Sequence, residues 1–219
     1  MALSKFNFNS FDVTSVASTG LGFNASANGF STINPGAMTL IKTLTASSSS
    51  TLSFVHGSSD VVLDSTYPVY LFKFINIHPA TDGSQFQIGF RDGDTDYDAV
   101  KTTTFFQAYH QESGGSAGIQ YATSLDLAQS TSFQNITGDL GNQNDECGSG
   151  IVQLFNPSST TFVKHFITRE NGQQNNEQSV SVFTAGYCNT TSAIDGVQFK
   201  MSSGNIDSGT IKLYGIKDS

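Results

Sequence analysis

Tyr67–Pro79 reads Tyr-Pro-Val-Tyr-Leu-Phe-Lys-Phe-Ile-Asn-Ile-His-Pro, and it constrains the fold of the whole chain more than any other run. Tyr70, Phe72 and Phe74 share one parity, while Val69, Leu71, Ile75 and Ile77 share the other with Lys73 among them. A strand with one wet face alternates between apolar and polar residues, whereas this central strand asks for cover on both faces. In an all-β chain a second sheet supplies one cover, and a loop or neighbouring subunit supplies the other. Pro68 costs little at the start of the run, and His78-Pro79 closes it.

Around this strand, from Ala37 onward, other strand candidates follow at short intervals between turn residues. Residues 38–44 and 52–55 are expected as strands joined by a hairpin tip at Ser47–Ser50. Ser84–Phe90 carries Phe86, Ile88 and Phe90 on one face, and Ala99–Tyr109 carries Phe105 and Phe106. Residues 111–147 are rich in Gly, Ser, Asn and Asp; only 118–121 and 132–137 look extended, and 124–129 suits one helical turn. Strands are expected again at 151–155, 161–167, 180–187, 197–201 and 210–216, the first two linked by the turn Asn156-Pro157-Ser158-Ser159. About ten strands without a βαβ rhythm predict an all-β, two-sheet antiparallel β-sandwich over residues 37–219.

Residues 1–36 are different material. Phe6, Phe8, Phe11, Leu21, Phe23 and Phe30 are spaced through Asn, Ser, Gly and Thr with no sustained period. Isolated aromatics of this kind suit an extended N-terminal arm that docks into pockets of another chain.

Composition narrows the partners. Charged residues make up 13% of the 219 residues, against roughly a quarter in an average domain, so Ser, Thr, Asn and Gln must supply the polar surface, as on exposed strands. A net charge of −8 argues against nucleic acid and against an anionic membrane. Residues 1–36 contain no apolar signal core, and no stretch approaches the ~20 apolar residues of a membrane span, so the chain is expected to be soluble and not exported. Cys147 and Cys188 stand far apart without metal-binding spacing, and two free thiols are the simpler expectation over a disulfide.

Three phrases, Phe72-Lys-Phe-Ile-Asn-Ile-His-Pro79, Leu154-Phe-Asn-Pro-Ser-Ser-Thr-Thr-Phe162 and Gly209-Thr-Ile-Lys-Leu-Tyr-Gly-Ile-Lys217, resemble a group of small structural proteins of tailed bacteriophages, especially marine ones. The resemblance runs from Ala37 to the C-terminus and is most specific in the closing Gly-x-Ile-x-Leu-Tyr-Gly. It implies a jelly-roll-like sandwich in the virion, assembled as a homotrimer with other virion proteins, and it brings no catalytic motif to carry over.

Other constellations in the chain carry groups capable of chemistry. Asp92, Asp94, Asp96 and Asp98 alternate in the way a loop surrounds calcium with hard oxygens, yet an EF-hand-like loop would want Gly and Glu where Tyr97 and Thr103 stand. The same residues suit a polar hairpin between Phe90 and Val100. Gly114-Gly-Ser-Ala-Gly118 spells a nucleophile elbow, but Ile119-Gln-Tyr121 after it looks extended where that motif needs a helix. The four histidines stand singly, His165 reading as a hydrogen-bonded strand residue. Tyr97, Tyr109, Tyr121 and Tyr187 are available to stack on sugars or to form a subunit interface.

The sequence thus predicts a non-enzymatic, cofactor-free virion structural protein, serving in capsid decoration or in the tail or fibre, assembled through its arm and sandwich faces. The alternative is a lectin-like tail module that binds a host surface glycan. A polysaccharide hydrolase is a more distant third.

Overall fold

The structure, a computed structural model, describes residues 20–23, 30–33 and 36–217. These fall into two compact units that divide between Thr39 and Leu40.

In the first unit β1 (Gly20–Phe23) and β2 (Phe30–Ile33) form a two-stranded antiparallel ladder in which Phe23 is the Cα partner of Phe30. This stretch of the expected arm is therefore folded back on itself rather than extended throughout. Phe6, Phe8 and Phe11 lie outside the described residues, as does the side chain of Phe23, while the Phe30 side chain is largely exposed.

The second unit is the expected antiparallel β-sandwich, an eight-stranded sheet over a four-stranded one. The large sheet contains β3 (Met38–Ser49), β5 (Val69–Pro79), β7 (Lys101–Gln111), β8 (Ala117–Tyr121), β10 (Gly148–Phe155), β11 (Lys164–Gln174), β12 (Gln178–Cys188) and β14 (Ile206–Ile216). Their spatial order is β3-β14-β5-β10-β11-β12-β7-β8. The small sheet is β4 (Leu52–Val55), β13 (Gly196–Met201), β6 (Phe86–Arg91) and β9 (Gln134–Asn135), in that order.

The core lies between the sheets and is built largely from phenylalanine. Phe54, Phe86 and Phe199 of the small sheet meet Phe72 and Phe74 of β5, with successive ring centroids 5.3 to 5.6 Å apart. Phe90 and Phe166 meet at 4.9 Å. Each such ring, fully removed from water, contributes about 1.5–3 kcal/mol before conformational entropy is counted. A smaller cluster, Phe105, Val180 and Val182, lies beneath the 122–125 turn with Tyr109, Ala122 and Leu125 packed on it.

Several expectations change here. Within β5, Tyr70, Phe72 and Phe74 face the core as their parity requires, but a β-bulge at Asn76, whose φ is 50°, advances the alternation by one residue. Ile77 consequently points into the core instead of outward with Leu71 and Ile75. The Ser47–Ser50 corner is no hairpin, because β3 and β4 belong to different sheets. The Arg91–Asp98 segment is no hairpin either, since it carries the chain from β6 in one sheet to β7 in the other. Residues 123–125 make a hydrogen-bonded turn, with Leu125 N donating to Ala122 O at 3.1 Å, and no helix forms over 124–129. The described strands number fourteen, and the largest surprise is the long hairpin of β11 and β12, which turns over residues 175–177 with Glu177 at φ 63°.

Candidate functional site

The Asp-rich crossover brings carboxylate oxygens of Asp92, Asp94 and Asp98 within 4.8 Å of one another, a hard-oxygen trio of the type that suits calcium. Asp96 stays outside it and uses its backbone N–H to donate to Asp94 Oδ1 at 2.9 Å, which shapes the turn. Asp92 also exerts an attraction on two buried ammonium groups, those of Lys101 and Lys164.

Those lysines form an internal row that the sequence did not disclose. Lys164, Cys188 and Lys101 are successive cross-strand partners on β11, β12 and β7, all pointing inward and fully buried. Lys101 Nζ donates to Ala99 O at 2.6 Å and Lys164 Nζ to Thr190 O at 3.0 Å. Burial lowers the pKa of both amines. Burial also pushes the Cys188 thiol up to about 12, against the opposing pull of the two lysines. Farther along the same inner face Glu170 is buried beside Gly148, Gly172 and Leu140, and neither of its oxygens has a hydrogen-bond partner among the described residues. Desolvation raises its carboxyl to about 9, offset only in part by the Val182 amide across the ladder. It is therefore a protonated acid at neutral pH.

The four tyrosines are not brought together. Tyr109 points inward onto the Phe105 cluster, and Tyr97 is half-buried beside Gly196 at the Asp-rich end of the sandwich. There Arg91 forms a two-pronged ion pair with Asp195, at 2.8 and 3.0 Å. Tyr121 and Tyr187 do share a surface, the outer face of the large sheet. Tyr121 donates to Asp126 Oδ2 at 2.5 Å, a bond that raises its pKa, and the Tyr187 ring lies 6.0 Å from that of His165. His165 is a strand residue, as expected from its alternation with Val163 and Ile167, and its side chain is exposed there. The Gly114–Gly118 pattern sits in the β7–β8 hairpin loop, where Gln111 N donates to Ser116 O at 2.8 Å and an antiparallel strand follows, not a helix.

The outer face itself is the most distinctive surface. One register row crosses it as Lys212, Lys73, Ile151, Arg169, Phe183, Phe106 and Tyr121 on β14, β5, β10, β11, β12, β7 and β8. Lys73 Nζ lies 5.4 Å from the Tyr214 ring centroid and the Arg169 guanidinium 5.2 Å from that of Phe183. The Phe183 and Phe106 rings stack at 5.0 Å with planes 3° apart. Exposed beside this row are Ile75, Ile167 and Ile119, the last at 80%. Two open depressions continue the surface around His165, one of about 950 Å³ bounded by Phe155 and Phe162, the other of about 440 Å³ bounded by Thr104, Ile167 and Tyr187. The eight strands of this sheet contain two carboxylates, Glu170 pointing inward and Asp207, which accepts from Ser48 Oγ at 2.9 Å. Further carboxylates lie at the edges of this face, Glu112 accepting from Gln173 Nε2 at 3.0 Å, Asp145 beside a depression lined by Ser149, Asn171 and Ser179, and Asp126 at Tyr121, so the acid-free part of the face is its centre.

Both thiols are free, Cys188 buried and Cys147 partly exposed. No described helix is long and apolar enough to cross a membrane. Comparison with protein families, with curated proteins and with solved structures finds no match for this chain.

Proposed function

We propose that this chain is a non-enzymatic virion structural protein of a tailed bacteriophage, in capsid decoration or a tail or fibre position, that works by assembling into a homo-oligomer. The resemblance of its Phe72–Pro79, Leu154–Phe162 and Gly209–Lys217 phrases to small phage structural proteins names the class. The observation that supports assembly in this chain is the outer face of the large sheet, where Ile75, Phe106, Ile167 and Ile119 lie exposed. Several large apolar side chains exposed together on one sheet face favour a covering partner. The arm residues Phe6, Phe8, Phe11, Phe23 and Phe30 supply further apolar groups for a neighbouring copy, each worth about 1.5–3 kcal/mol when fully desolvated.

Light scattering on the full chain beside a form lacking residues 1–36 tests this reading. The expected result is a closed oligomer, a trimer, for the full chain and a smaller, still folded species for the truncation. Two equally monomeric species would overturn it. A second reading, a glycan-binding tail module, draws on Tyr121 and Tyr187 sharing the outer face; it requires binding of host polysaccharide that survives the same deletion.

A further inference from the structure

The outer face of the large sheet combines three properties that together say what covers it. The first is extent. Seven neighbouring strands from β14 to β8, at about 4.8 Å spacing and up to about 30 Å of strand length, present on the order of 900 Å² in projection. A stable interface buries roughly 800 Å² on each partner. The second is texture. Its exposed groups are aliphatic as much as aromatic, with Ile167 at 47% and Ile119 at 80% exposure. The Phe106 and Phe183 rings, stacked at 5.0 Å, turn their facing sides to each other rather than lying flat as a sugar platform would need. This texture matches the centre of a protein interface better than a saccharide cleft. The third is charge. Lys73, Lys212 and Arg169 stand on the central row of the face, while the carboxylates that reach it lie at its edges, at Glu112, Asp126, Asp145 and Asp207.

We infer that a second copy of this chain docks its acidic surface on the outer face of the eight-stranded sheet, in a head-to-tail contact. The inference rests on the assembly reading above and deepens it by naming the face and the sign of its partner. A twofold, face-to-face contact would oppose two faces that both carry Lys73, Lys212 and Arg169 at their centre, and like charges brought together across a desolvated interface are unfavourable. The remainder of a copy, by contrast, holds most of the acids of a chain with net charge −8, most densely at Asp92, Asp94 and Asp98. Head-to-tail contacts of this type close into rings when the rotation permits, trimers among them.

The test uses the full chain carrying Lys73→Glu with Lys212→Glu, a second full chain carrying Asp92→Lys, Asp94→Lys and Asp98→Lys, and the wild type. Circular dichroism checks folding, and light scattering at low and high salt reads association. The expected result is that each variant folds, that each alone associates at least about tenfold more weakly than wild type, that mixing the two restores association, and that added salt weakens the wild type. Wild-type assembly retained in the lysine variant, with unchanged salt dependence, overturns the inference while leaving the assembly reading standing. A wild type that is monomeric throughout overturns both. Loss of binding to an acidic polysaccharide in the lysine variant, without change in assembly, also overturns it and assigns the face to a glycan.

Discussion

Lys73 and Lys212 are direct Cα partners on the neighbouring antiparallel strands β5 and β14, with Lys73 extended over Tyr214. Like charges directly opposite on one sheet face are destabilising, so this pair lowers the stability of the isolated fold. Lys212→Gln in dilute solution is expected to raise stability by about 0.2–1 kcal/mol at low ionic strength. Urea titrations at low and high salt measure it, and the gain should shrink as salt screens the pair. A gain that persists unchanged at high salt would show that packing, not charge, separates the variants.

Glu170 gives the stability a definite dependence on pH. Its carboxyl titrates near 9 in the folded chain against an ordinary value of 4.5, so the folded state holds a proton that the unfolded state releases. The stability contributed by this group is full below about 4.5 and is lost as pH rises from there toward 9. One such group contributes a slope of at most about 1.4 kcal/mol per pH unit. Glu170→Gln should therefore match wild type at acid pH and exceed it increasingly toward pH 8, as read from paired melting curves. Parallel curves at all pH values would show that water or a shifted partner satisfies the carboxylate.

Glu170 also explains why part of the fold was illegible in the sequence. β6 and β13 could be read because Phe86, Ile88 and Phe90, and then Val197, Phe199 and Met201, alternate cleanly and all reach the core. The second half of β11 could not, because its inward positions are Glu170, Gly172 and Gln174, which carry no hydrophobic period. The bulge at Asn76 hid the true facing of Ile77 for a related reason, since parity counts assume an unbroken pleat. For the site, the clustering of carboxylates in the Asp loop was legible because Asp92, Asp94 and Asp98 lie in one short segment. The row from Lys212 to Tyr121 was not, because cross-strand neighbours are set by sheet order, and sheet order is a long-range property that no local pattern encodes.

The two thiols should differ sharply in reactivity. Cys147 is partly exposed, and burial raises its pKa only from an accessible position. Cys188 is fully buried, and burial takes its thiol up to about 12 despite Lys101 and Lys164 on either side. Because the thiolate is the reactive species, a colorimetric disulfide reagent should titrate one thiol in the native protein, slowly, and both in denaturant. Cys147→Ser should remove the native signal. Rapid native reaction of Cys188 would mean that the flanking ammonium groups outweigh desolvation.

Gly209, in the closing phrase of the chain, faces the bulge that re-aims β5. Its φ is +124°, and a Cβ there would lie 2.7 Å from Asn76 O and 2.8 Å from Ile77 Cδ1. An alanine must both adopt a conformation that L residues avoid and displace the backbone of the neighbouring strand at its most irregular point. Gly57 offers the comparison, with φ +75° and nothing within 4 Å of its notional Cβ, so Gly57→Ala measures conformational strain alone. Gly57→Ala is expected to cost about 1–2 kcal/mol, and Gly209→Ala a further 1–3 kcal/mol or so from overpacking. Chemical denaturation of the two variants beside wild type gives both numbers. Equal losses would show that the β5–β14 bulge yields without cost, and Ile77 would then owe its core position to burial of its side chain rather than to a rigid backbone kink.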